Sequence, residues 1–163
     1  MSSTRLYESI TTYLDEAELT YQYNEGDTDD GVIGVEISGE DGGWRVVIRT
    51  TEEGEARGVM IWALLPARIP EKNRLKVAEL LTRINCDLAI GNFDMNLDTG
   101  EVLFRNSIEL ADGVFTKAMF DRMYEVNCGA MNDNYAKILN AGYGELDSPK
   151  TDAEVLPEGM VLQ

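Results

Sequence analysis

Between Gly58 and Leu65 the chain reads Gly-Val-Met-Ile-Trp-Ala-Leu-Leu, without a polar side chain. As a strand from Arg57 to Leu65, its alternation sends Val59, Ile61, Ala63 and Leu65 to one face and Met60, Trp62 and Leu64 to the other. An antiparallel strand with one wetted face carries polar residues on that face, and this one carries none. The strand must therefore lie inside a sheet whose second face is also covered. The cover comes either from this chain, with the first helix on one side and the tail on the other, or from another molecule, since large apolar patches mark interaction sites. Met60, Trp62 and Leu64 are on that ground candidate protein-binding residues.

The flanking segments supply the rest of a sheet. Val32–Ser38 alternates Ile33, Val35 and Ile37 against Glu36 and Ser38, and Glu40-Asp41-Gly42-Gly43 has hairpin-turn chemistry. Trp44, Val46 and Ile48 then alternate with Arg45, Val47 and Arg49. A further short strand at Thr20–Asn24 follows an amphipathic helix over Thr4–Leu19 whose apolar face includes Leu6, Ile10 and Leu14. Pro66 and Pro70 bracket a link into a second helix, Glu71–Asp87, with Val77, Leu80, Leu81 and Ile84 as its stripe. A hairpin comes next, Ala89–Leu97 and Glu101–Leu110 around Asp98-Thr99-Gly100, and then a long helix over Thr116–Ala141, ended by Asn140-Ala141-Gly142. The order α-β-β-β-α-β-β-α predicts an α+β fold, an antiparallel sheet of five to six strands with helices on one face.

The long helix has two apolar stripes. Phe120, Tyr124, Met131, Tyr135 and Ile138 form one; Met119, Met123, Val126 and Ala130 form the other. A helix lying on a sheet needs one such face, so Met119, Met123 and Val126 join the candidate protein-binding residues. Residues 1–142 read as one domain and 143–163 as an acidic tail, extended or docked.

Charge limits the partners. Thirty acidic residues against 14 basic ones give a net charge of −16, which repels nucleic-acid phosphates and anionic membrane surfaces. No apolar run is long enough to span a bilayer, and no apolar segment follows Met1–Arg5 as in a secretory signal. Cys86 and Cys128 are isolated, as expected of buried, inert thiols in a cytoplasmic protein. One local asymmetry stands out: Arg68, Lys72, Arg74, Lys76 and Arg83 gather around the second helix and could receive an acidic segment, from a client or from the tail.

The absence of histidine closes His-based general-base chemistry, catalytic triads and His-containing zinc sites. Asp98-Thr99-Gly100 matches the tripeptide of aspartic proteases, but the flanking alternation makes it a hairpin turn. Asp27-Thr28-Asp29-Asp30-Gly31 misses the glycine and glutamate positions of an EF-hand loop. No cofactor, metal or catalytic residue is therefore expected, and the function predicted is non-enzymatic protein binding. The alternative is an acid hydrolase or metal-assisted enzyme built from converging carboxylates.

The stretch from about Pro70 to Gly142 resembles the YbjN family. The resemblance lies in Leu80-Leu81-Thr82-Arg83-Ile84-Asn85, Gly91-Asn92-Phe93-Asp94 and Thr99-Gly100-Glu101-Val102-Leu103-Phe104-Arg105-Asn106-Ser107, with Asn85 and Gly91-x-Phe93 the most distinctive. It implies a bacterial protein with a type III secretion chaperone-like fold, a chaperone-like or sensory-transduction regulatory role and a homodimer. It brings no catalytic residues.

Overall fold

The computed structural model describes residues 5–25, 31–53 and 56–144. Six strands form one antiparallel sheet: β1 (Tyr21–Glu25), β2 (Gly31–Ser38), β3 (Gly43–Glu53), β4 (Ala56–Leu64), β5 (Asn92–Met95) and β6 (Val102–Glu109), in the spatial order β1-β2-β3-β4-β6-β5. Three helices, α1 (Leu6–Glu16), α2 (Arg74–Asp87) and α3 (Lys117–Tyr143), complete the expected α+β layout, with Tyr21–Glu25 as the sixth strand. The fully apolar β4 lies between β3 and β6, where both of its edges are paired.

The helices share one face of the sheet. α1 packs on β3, α3 on β4 and β6, and α2 on β5, which places α3 between the other two helices. The core joins Leu6, Ile10 and Leu14 of α1, Ile61 and Phe104 of the central strands, and Met131 and Ile138 of α3. Two buried amides fasten α3 to the sheet. Asn127 Nδ2 donates to the carbonyls of Ile61 and Phe104, at 3.0 and 3.4 Å, and Asn106 Nδ2 donates to the Met123 carbonyl at 2.9 Å.

The two residues that best carry the family resemblance have structural work. Asn85, in the last turn of α2, pairs with the backbone of Phe93 in both directions: its Nδ2 donates to the carbonyl at 3.0 Å and its Oδ1 accepts from the amide at 2.7 Å. It thus satisfies the start of β5 as a neighbouring strand would. Gly91 sits at φ +75°, and a Cβ there would lie 2.5 Å from the Phe104 ring.

Several boundaries differ from the sequence reading. Pro70 precedes a short 3-10 turn, Glu71–Asn73, and the α-helix begins only at Arg74. The end of α3 is set by Gly144, at φ +83°, because Gly142 is buried inside the last turn against Ile69. Cys86 is exposed near the end of α2, not buried, because the stripe Val77–Leu81 turns the opposite side of that helix to the core. The acidic loop Asp27–Asp30 and the tail beyond Gly144 lie outside the described residues.

Candidate protein-docking face

Strand register places the side chains of the face opposite the helices. Glu36, Arg45, Leu64, Leu103 and Asp94 line one row across it; Gln22, Gly34, Val47, Trp62, Arg105 and Asn92 line the next; Val32, Arg49, Met60 and Ser107 the third. Val47, Trp62 and Leu64 form a small cluster there, with Val32, Met60 and Leu103 packed against it. Among the described residues no helix residue belongs to this cluster. Yet Val47, Trp62 and Leu64 are only 1, 8 and 3% exposed.

Arginines border this apolar strip. Arg45 lies over Gly34, donates to Gln22 Oε1 at 3.1 Å and contacts Glu36 at 3.5 Å; Arg105 pairs with Asp94 at 2.9 Å. Arg49, Met60, Trp62, Ser107 and Glu109 line an open groove of about 540 Å³ at the β4–β6 end of the face. Among the described residues the face thus has three arginines nearest Trp62 and carboxylates at its margins (Glu36, Asp94 and Glu109), on a chain with more than twice as many acids as bases.

The six apolar candidates do not form one surface. Met60, Trp62 and Leu64 share the open face, whereas Met119, Met123 and Val126 belong to the helical side of the sheet. Met123 is buried, and Met119 and Val126 are half-buried against the main core. α3 contacts α1, α2 and the sheet, so packing within the described fold already buries part of the second stripe. Arg45, Arg49, Arg105 and the apolar Val47 and Leu103 complete the face. Only their alternation along β3 and β6 could have signalled them.

The basic residues around α2 are largely engaged within the fold. Arg68 bonds Glu101 at 2.9 Å, Arg83 bonds Glu79 at 2.7 Å, and Arg74 donates to the carbonyls of Ile69, Leu97 and Asp98. Lys72 and Lys76 stand exposed on the same segment. Arg74 is thus a clasp between α2 and the β5–β6 turn.

Among the described residues no three acidic, cysteine or histidine side chains gather as a metal site would require. Asp98-Thr99-Gly100 is a turn, in which Asn96 Oδ1 accepts the amides of Asp98 and Thr99 and Gly100 takes φ +80°.

Cys128 lies inside α3, where burial pushes its thiol up to about 11, and burial likewise raises the adjoining Tyr124 phenol. The unfolded chain loses the thiol proton near 9.0, before the folded chain does, so the burial contribution is complete below that pH and is lost as pH rises through the folded value. Denaturant midpoints measured from about pH 8 to about pH 11 should fall, and Cys128→Ala should flatten part of that fall. An unchanged slope in the variant would show that the thiol does not titrate this way.

Three helices on one face of a six-stranded antiparallel sheet, with an apolar, arginine-bordered strip on the other, define a two-layer α+β protein. The chain belongs to the YbjN family: the family model, described as "Putative bacterial sensory transduction regulator", matches residues 7–135. No curated protein matches it. Among solved structures it is similar to "Crystal structure of YbjN, a putative transcription regulator from E. coli", with 13% identity and a TM-score of 0.52 over 80% of this chain and 91% of that one. At that identity the likeness speaks for the fold. Among the described residues no helix is long and apolar enough to cross a membrane.

Proposed function

We propose that this chain is a non-enzymatic regulator that binds a protein segment on the open face of its sheet, through Met60, Trp62 and Leu64 with Val47 and Leu103. The observation that carries this reading is an apolar strip on a sheet face to which no described helix contributes. Trp62 is a suitable anchor, because a buried aromatic centre surrounded by near-neutral contacts is the usual energetic core of an interface. Membership of a family of sensory-transduction regulators supports a regulatory role. The charge of −16 favours regulation through protein contact over DNA contact, since phosphate binding draws on clustered cations.

The test is a photo-crosslinking residue placed at Met60, with a control at Leu75, which is 78% exposed on α2. In cells, a specific protein adduct is expected from position 60 and not from 75. It should disappear when Trp62→Glu is added to a chain whose circular dichroism is unchanged. Equal adducts from both positions, or none from position 60, would defeat the reading.

A further inference from the structure

We infer that the open face is the seat of this chain's own acidic C-terminal segment, residues 145–163, which a partner must displace. The inference rests on the open face being a docking surface and names its resident occupant.

Burial is the first observation. Val47 and Leu64 are nearly inaccessible although every described helix packs on the other face. Side chains on an uncovered sheet face ordinarily keep one side in water. A segment lying across Trp62 would account for their seclusion.

Chain path is the second. The Gly142 carbonyl accepts from Asn73 Nδ2 at 2.7 Å, and Gly142 itself packs against Ile69, whose amide bonds the Gly100 carbonyl. Just before this link, the Leu65 amide bonds the Val102 carbonyl. The chain therefore leaves α3 at the end of the sheet where β4 stops and β6 begins, and there the Leu64–Leu103 pair opens the apolar strip. Layers are about 10 Å apart, and an extended segment of this length reaches roughly 60 Å, ample for crossing the face.

Chemistry is the third. The segment joins Val155, Leu156, Val161 and Leu162 to acids that include Asp152 and Glu158, suited to an apolar strip bordered by Arg45 and Arg105, whose own carboxylate partners Glu36 and Asp94 form exposed surface pairs. A second copy is the competing occupant, and adducts between labelled and unlabelled chains would reveal it.

A crosslinking residue at Met60 in the purified full-length chain, made as a mixture of nitrogen-15-labelled and unlabelled protein, tests this by peptide mass spectrometry. Adducts to residues 145–163 within one isotopic species are expected. Full-length protein with Val155, Leu156, Val161 and Leu162 all changed to serine should lose them, and quenching of its tryptophan emission by acrylamide should rise severalfold as Trp62 is uncovered. Adducts joining labelled to unlabelled chains, or adducts that never reach 145–163, would overturn the inference. So would unchanged quenching in the serine variant. The two readings fail separately. Adducts to an outside protein but none to 145–163 leave the docking function standing and remove the tail, whereas the reverse pattern keeps the tail and removes the regulator.

Discussion

Replacing Gly100 by alanine is expected to destabilise the fold by roughly 3–5 kcal/mol, a large share of the 5–15 kcal/mol that holds a domain of this kind together. Gly100 sits at φ +80° in the β5–β6 turn, where its carbonyl accepts from the Ile69 amide at 2.8 Å. A Cβ would be driven against the Ile69 carbonyl oxygen and would lie 2.9 Å from the Ile69 nitrogen. Those atoms are backbone and cannot rotate aside. The same clash would push away the link that Arg74 clasps through the carbonyls of Ile69, Leu97 and Asp98. Gly129 is the internal control, since it lies in α3 with nothing within 4 Å of its would-be Cβ. Gly129→Ala should stabilise by about 0.5–1 kcal/mol, because alanine loses less backbone entropy in a helix. Urea denaturation of both variants checks the pair. Equal effects would mean that conformation at Gly100 costs little.

Asn127→Asp should destabilise by about 3–5 kcal/mol at neutral pH. Asn127 is fully buried, and its Nδ2 faces the carbonyl oxygens of Ile61 and Phe104. An aspartate there would put a carboxylate against two acceptors. To stay in place it must keep its proton, so its folded pKa must rise above the unfolded value of about 3.9. The variant's stability is then highest below that unfolded value and is lost as pH rises through the folded one. Asn127→Ala, which loses two hydrogen bonds and opens a cavity, should cost about 2–4 kcal/mol with no such pH dependence. Unfolding curves near pH 4 and pH 7 separate the two. Matching profiles for Asp and Ala would show that Asn127 acts through packing alone.

The strands were legible because their burial follows a period of two, and β4 announced its central place by being apolar in both registers. Sequence periodicity did not say which neighbours cover a side chain. It therefore did not reveal that Met123 of the second α3 stripe is buried and that Met119 and Val126 are half-buried against the main core. Nor did it show that three of the basic residues around α2, Arg68, Arg74 and Arg83, bind Glu101, loop carbonyls and Glu79. Cys86 looked buried until helix phase turned it outward. Asn106 and Asn127 gave no signal, because a polar residue on an apolar stripe reads as noise until its carbonyl partner is known.

The amino-acid order alone determined the class of fold, the type of its main elements, and the need to cover Met60, Trp62 and Leu64. Those properties depend on local periodicity and on net charge, which are carried along the chain. Only the tertiary structure decided that Arg45, Trp62 and Arg105 share one face and that the α3 methionines lie on the other. Such neighbours belong to different strands or to a helix distant in sequence, and strand register and helix order fix them only once the whole sheet has assembled.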